Sequence, residues 1–454
     1  MKWQGRRVAV VGLGVSNMAL SRFLLGKGAV LTVLDKKETS ELEGSIRALG
    51  SGVSYHLGPG YLDGLEGHET IFLTPGMPKD LPEIEEARSR GVWISSETQL
   101  FLSLCRATVI GITGSAGKTT TTTLTAEILK RWGAEVLVGG NIGRPLIEQA
   151  ETLSPEAFAV MELSSFQLEL VDRSPQVSAL LNLSPDHLNI HGSLERYYDA
   201  KRNIFRYQKP QDHAVFNADR EITMSMAREA PGQAVLFSAR SPVEMGAYVQ
   251  DGLIYLNLKE PQVVCGAGEL MIKGWHNLEN ALAALAVSGL AGAPPEAAGG
   301  VFREFPGVEH RIELVRDAGG VKYYNDSIAT APDRCLAALG TLEPPLVLIA
   351  GGYDKGMPFD NLALAMMGRV RVLITLGKAA CKIEQAVGQA AQGREDGPEV
   401  IRCRDLSDAV EVARRVARPG ESVILSPACA SYDMFRDFEE RGRFFKALVM
   451  EIEE

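Results

Sequence analysis

Short β-branched apolar runs recur along the chain, and nearly all of them stop at Gly, Asp, Ser, Glu or His. They include "RVAVVGLG", "VLTVLD", "TIFLTPG", "ATVIGITG", "FAVMELSS", "SALLNLSPDH", "LVLIAGG", "RVLITLG" and "SVILSPA". Between many of them lie helical patterns such as "NMALSRFLLGKG" and "NLENALAALAVSGLAG". That alternation is the signature of parallel α/β sheets. In such sheets ligands sit at the carboxyl ends of the strands, so the polar residues closing these runs are where chemistry is to be sought.

A chain of 454 residues holds two to four domains of ordinary size. The strand–helix rhythm restarts after "RGVWISSE", and "FREFPGVEHRIE" breaks it again with Pro-Gly after an Ala-rich helix. We expect three α/β domains, 1–96, 97–304 and 305–454, with "AYVQDGLIYLN" forming a β-hairpin appended to the middle one. The net charge of −10 and pI near 5.4 argue against nucleic-acid binding, which needs a basic surface. Anionic ligands would need local positive sites. Six cysteines are scattered without a CxxC pair, which indicates neither a zinc site nor a disulfide framework. No targeting segment and no membrane-length apolar run is visible, so a soluble cytoplasmic protein with no membrane partner is expected, acting as a monomer.

The first domain carries Gly12-Leu13-Gly14 after a strand, with Asn17 where a dinucleotide fingerprint has its third glycine, and Asp35 closing the next strand. This reads either as a nucleotide pocket or as a strand–helix turn that merely needs glycine. "FLTPGMP", with Thr74 and Gly76, ends another strand beside it. The missing glycine counts against NAD.

In the middle domain "GITGSAGKTT" lacks the first glycine of the usual Walker loop, since position 112 is Ile. A tighter Gly114-x-x-Gly117-Lys118-Thr119-Thr120 survives between a strand and a helix. Glycines let main-chain amides close on phosphate oxygens, Lys118 supplies a positive charge, and the Thr119 hydroxyl is a ligand for Mg²⁺. Glu162, and Asp186 with His187, close two later strands and are candidate metal-site groups. In "SLERYYDAKRNIFRY" an apolar stripe runs through Leu194, Tyr197, Tyr198, Ile204 and Phe205, with Lys201 in its middle. Spacing alone favours a lysine snorkelling from the helix edge. The alternative is a partly buried amine with a lowered pKa.

The segments GSAGKTT, NIG (Asn141 to Gly143), ELSSFQLE, SPDHLNIHG, YYDAK, GWHNLEN, EHRIE, NDSIATAP, GGYDKG and SPACASYDMFRDFEERG resemble, in order and spacing, the Mur ligases of peptidoglycan synthesis. The resemblance covers essentially the whole chain, and "ELSSFQLE" with "SPACASYDMF" is its most specific part. It implies a Rossmann-like N-terminal domain, a central P-loop ATPase-type domain and a Rossmann-like C-terminal domain. It also implies an ATP-dependent ligase that joins glutamate to UDP-N-acetylmuramoyl-L-alanine through an acyl phosphate, with Mg²⁺. D-glutamate is the first expectation and L-glutamate the alternative.

By the same resemblance, Val15, Ser16, Asp35, Lys36, Thr74, Gly76 and Asn141 contact the UDP-substrate, and Gly114, Gly117, Lys118, Thr119 and Thr120 hold ATP phosphates. Asn277 and Asn280 lie on the adenine side, and His310, Arg311, Asn325 and Asp326 contact ATP from the joint. Thr330, Lys355, Ser431 and Phe438 receive glutamate. Lys201 matches the lysine that the family carbamylates with CO₂, giving an anion that holds Mg²⁺ with Glu162 and His187. Two departures stand out: Ala116 replaces an Asn common in the loop, and Ile328 replaces a lysine near the amino-acid pocket.

Three other readings compete. A nicotinamide dehydrogenase leaves the P-loop, Glu162 and Lys201 idle, and a P-loop switch leaves "SPACAS" and the first domain unexplained. A folylpolyglutamate-type ligase shares the loop and the lysine but lacks the first domain.

Overall fold

The computed structural model describes residues 2–184 and 191–452. The chain divides into two compact units, Met1–Phe305 and Pro306–Glu454. Among the described residues the strands form three sheets, two in the first unit and one in the second.

The first sheet contains β1 (Arg7–Val11), β2 (Val30–Asp35), β3 (Val53–Leu57), β4 (Thr70–Leu73) and β5 (Trp93–Ser95) in the order β3-β2-β1-β4-β5, all parallel. Strands β1 and β4 are apolar almost throughout because both faces are covered. The order reverses between β1 and β4, which opens a crevice at their carboxyl ends, where Gly12–Gly14 and Thr74–Gly76 lie.

The second sheet contains β6 (Thr108–Thr113), β7 (Val136–Gly140), β8 (Phe158–Glu162), β9 (Val177–Leu180), β10 (His213–Asn217), β11 (Gln233–Ser238), β12 (Gly246–Gln250), β13 (Leu253–Asn257) and β14 (Pro261–Gly266). Their order is β14-β13-β12-β11-β10-β9-β6-β8-β7. The strands from β7 to β12 in that order run parallel, and β12, β13 and β14 form an antiparallel meander on the edge. The expected hairpin is therefore its β12–β13 part. The helices Lys118–Trp132 and Trp275–Leu290 pack against each other on this sheet. The second of them buries an unbroken run from Glu279 to Ser288, and its many alanines permit close approach.

In the second unit β15 (Glu313–Ala318) and β16 (Val321–Asn325) form an antiparallel hairpin. Parallel to β16 follow β20 (Ser422–Leu425), β17 (Leu346–Gly351), β18 (Val370–Leu376) and β19 (Glu399–Arg402) in that spatial order. The segments "NDS", "GGYDKG" and "SPACAS" thus follow neighbouring strands at one end of the sheet. The nine apolar runs named from sequence all contribute strands. No helix among the described residues is long and apolar enough to cross a membrane.

Candidate active site

The phosphate loop begins where β6 ends at the buried Thr113. Gly117 has φ 83°, in the left-handed region that favours glycine, and a Cβ there would come within 2.2 Å of Asn280 Oδ1. It precedes the helix Lys118–Trp132, and no side chain caps that helix start. An uncapped helix N-terminus aims main-chain amides at whatever anion sits over the loop. Residues 182–184 brace the loop from below: the Ser115 amide donates to Asn182 O at 3.0 Å and the Ala116 amide to Asn182 Oδ1 at 2.8 Å. Ala116 enters this brace through its main chain, as the sequence reading of that departure expects.

Lys118 curls back over the loop, its Nζ donating to Gly114 O at 2.9 Å and Ser115 O at 3.1 Å. The Thr119 hydroxyl donates to Glu162 Oε2 at 2.7 Å, and Asn141 Nδ2 donates to Glu162 Oε1 at 2.8 Å. Glu162, closing β8, is only 2% exposed. A buried carboxylate needs hydrogen-bond partners, and here both oxygens have one. Thr120 follows in the first helical turn, where its neighbour Thr121 lies 3.4 Å from Asn280 Oδ1. Asn280 in turn donates to Asn277 Oδ1 at 3.4 Å. Hydroxyl and carboxylate oxygens beside a phosphate loop are the hard donors that Mg²⁺ takes.

Lys201 corrects the snorkelling expectation. It is 2% exposed in the helix Leu194–Arg202, with Nζ donating to Gly114 O at 3.0 Å and Thr113 Oγ1 at 3.3 Å. The Tyr197 ring lies 4.9 Å from the ammonium. The stripe is also shorter than its spacing suggested. Leu194 is exposed, and the buried Ile204 and Phe205 lie beyond the last helical residue, Arg202. Asp186 and His187 lie outside the described residues.

At the first sheet, Gly12 has φ 84° and a Cβ on it would lie 2.7 Å from Thr74 Cγ2, so the two expected loops do pack together. Asp35 is turned toward the protein: its carboxylate accepts the Leu13 amide at 2.7 Å and the Lys37 amide at 2.9 Å. Its first task is to shape the glycine loop. Asn17 fills the place of the third glycine and donates to Val11 O at 3.0 Å and Gly12 O at 2.8 Å. Val15 is 75% exposed at the start of a helix that Gly14 leaves uncapped, with Ser16 after it; Lys36 and Gly76 lie on the flanking loops.

In the second unit the backbone turns through left-handed residues at His310 (φ 64°) and Ile312 (φ 45°), which leaves Arg311 exposed between them. The His310 ring meets Phe438 edge to face at 6.2 Å, and Asn325 Nδ2 lies 2.8 Å from His310 Nδ1. Asp326 is buried, accepting from Ser426 Oγ at 2.7 Å and the Ile312 amide at 3.3 Å, and burial pushes its carboxyl up to about 7. Glu309 and Glu313 flank His310 in an arrangement suited to a cation, and the Lys446 ammonium pairs with both.

A concavity nearby is lined by Thr330, Lys355, Tyr353, Asp354 and Cys429, and Lys355 Nζ donates to Thr330 O at 3.2 Å. Ser431 and Phe438 are not in its lining; Ser431 is buried in the loop after β20, and Phe438 O accepts from Ser327 Oγ at 2.7 Å. Sequence reasoning missed Arg441, whose buried guanidinium joins "NDS" to "SPACAS" through Ser327 Oγ, Ser327 O and Cys429 O. Burial lowers its pKa to about 10. In "FEERGRFF" it reads as one more arginine on a solvated helix, and only the fold buries it.

Residues 6–96 match the description Mur ligase MurD-like, N-terminal domain, residues 112–288 the Mur ligase middle domain, and residues 310–429 the Mur ligase, glutamate ligase domain. The chain belongs to the Mur ligase family. This Mur ligase is 52% identical over 447 residues to the UDP-N-acetylmuramoylalanine--D-glutamate ligase of Symbiobacterium thermophilum, covering 98% of this chain and 97% of that relative. It is 43% identical over 456 residues to the enzyme of the same name from Acetivibrio thermocellus, covering 100% of this chain and 98% of that one. In fold it is similar to UDP-N-acetylmuramate-alanine ligase MurC from Thermotoga maritima, with TM-score 0.56 at 20% identity over 98% of this chain and 99% of that structure.

Proposed function

We propose that this Mur ligase joins D-glutamate to UDP-N-acetylmuramoyl-L-alanine with ATP, forming ADP and phosphate, as a cytoplasmic monomer. The observation that carries the reading is the buried Glu162, held between Thr119 of the phosphate loop and Asn141, with Lys201 beneath the same loop. A dehydrogenase or a simple glycine turn has no use for that constellation. The names of the full-length relatives supply the glutamate, in the D form. We also propose 1–96 as the UDP-binding domain, 97–304 as the ATP-binding domain and 305–454 as the amino-acid-binding domain.

A carboxylate resists amines because its oxygen is a poor leaving group. The L-alanyl carboxylate therefore attacks the γ-phosphorus of ATP; an O–P bond forms, the bridging O–P bond to ADP breaks, and an acyl phosphate results. The neutral amine of glutamate adds to its carbonyl carbon. The tetrahedral adduct expels phosphate, and the amine proton passes to solvent or phosphate. Lys118 and the loop amides oppose the charge spread over the transferring phosphoryl group. Mg²⁺, when bound, would be held by Thr119, Glu162, His187 and Lys201 as its carbamate, and would neutralise phosphate charge there. The Lys201 amine reaches that form by adding CO₂ and releasing one proton. Asn277, Asn280, Arg311 and Asp326 take the nucleotide, and Val15, Ser16, Asp35, Lys36, Thr74 and Gly76 take the UDP moiety. Thr330, Lys355, Ser431 and Phe438 take the glutamate.

The test is phosphate release from ATP with UDP-N-acetylmuramoyl-L-alanine, run separately with D-glutamate, L-glutamate, L-lysine and meso-diaminopimelate. D-glutamate-dependent release is expected. Preference for a diamino acid would overturn the acceptor and leave the fold assignment standing.

A further inference from the structure

The turn after β16 carries two cations. Arg334 Nη1 donates to Ile328 O at 3.3 Å, and Lys355 Nζ donates to Thr330 O at 3.2 Å, so the two charges rest on carbonyls two residues apart. Neither is within ion-pair distance of a carboxylate among the described residues, and Asp354, the nearest acidic lining group, is engaged by Lys382 at 3.4 Å and the Gly356 amide at 2.7 Å. Arg334 also sits in the first turn of the helix Pro332–Leu339, the positive end of the helix dipole. Burial first and Arg334 second push the Lys355 ammonium below its ordinary range, so the two cations feel each other. Lys355 lines the concavity and the exposed Arg334 stands outside its lining at the helix start; two like charges so placed are mutually unfavourable until an anion joins them.

We infer that Arg334 is a specificity-determining residue: with Lys355 it holds a carboxylate of the incoming acidic amino acid, supplying the positive charge that Ile328 does not. The inference rests on the proposed amino-acid site. It explains how a neutral residue at position 328 is compatible with an acidic acceptor, and why a diamino acid would meet two like charges there.

The test is steady-state kinetics of the full chain. Arg334→Gln keeps a donor for Ile328 O and removes the charge. It should raise KM for D-glutamate about tenfold or more, the scale of a lost charge-assisted hydrogen bond, while KM for ATP and for the UDP-substrate stays within about twofold. Arg334→Lys should fall between, and adding Ile328→Lys to Arg334→Gln should recover most of the loss, because it restores the charge without restoring the guanidinium. An unchanged KM for D-glutamate in Arg334→Gln, or no recovery in the double variant, would overturn the inference. If the wild-type enzyme releases no phosphate in response to D-glutamate, it is the parent functional reading that fails.

Discussion

Lys201 shows how far a single residue can be read from sequence. Its position on an apolar stripe raised the question of burial, and geometry answered it: the amine lies under the phosphate loop, on Gly114 O and Thr113 Oγ1. The role of the group is a matter of charge. With a free amine it binds the loop; as the proposed carbamate it would be an anion. Lys201→Ala should therefore leave ligation almost inactive, with partial recovery on adding small carboxylates that occupy the vacated anion position. Full activity without rescue, measured as D-glutamate-dependent phosphate release, would remove the carbamate from the mechanism. Arg441 marks the opposite limit. It is a charged residue in a polar helical segment, and nothing in the local pattern separates it from solvated neighbours. Arg441 gains meaning only when "NDS" and "SPACAS" are brought beside it.

At the scale of elements, legibility follows from where the information lies. A parallel strand covered on both faces needs an unbroken β-branched run, so the strands announced themselves, and their polar ends named most of the candidate site. Packing between distant elements leaves no such local trace. The helix Glu97–Leu104 illustrates this: its first residue, Glu97, would pass for a favourable acidic group at a helix start, yet it is 5% exposed and accepts from the Thr98 hydroxyl at 3.5 Å. Burial pushes its carboxyl from 4.5 up to about 7. The folded state thus keeps a proton that the unfolded chain releases, and the contribution of Glu97 to stability is present below about 4.5 and is lost as pH rises to about 7. Glu97→Gln, which resembles the protonated acid and keeps an acceptor for Thr98, should match the wild type in Tm near the lower end of that window and exceed it above the upper end. Parallel Tm curves for the two proteins across the window would show that burial leaves Glu97 without a shifted titration.

For the whole molecule, the net charge of −10 gives anions no general attraction, so the proposed substrates need local positive sites, for which the candidate residues lie at the carboxyl ends of the sheets. The first of these sites invites two ligands with the same pyrophosphate, a UDP-sugar and NAD. The proposed reading takes the UDP-sugar. A dinucleotide fingerprint uses its third glycine to bring helix and strand close together. Here Asn17 occupies that position and its side chain binds Val11 O and Gly12 O, stitching the first helical turn to the strand end. Hydrogen exchange on the full chain should therefore show UDP-N-acetylmuramoyl-L-alanine protecting amides of residues 12–17 and 74–79 at saturation, with NAD protecting neither segment. D-glutamate should add protection only in residues 328–334 and 353–357, in the other compact unit. Protection of residues 12–17 by NAD would restore the dehydrogenase reading of that sheet, whereas glutamate protection confined to Met1–Phe305 would move the amino-acid site out of the unit that carries Lys355 and Arg334.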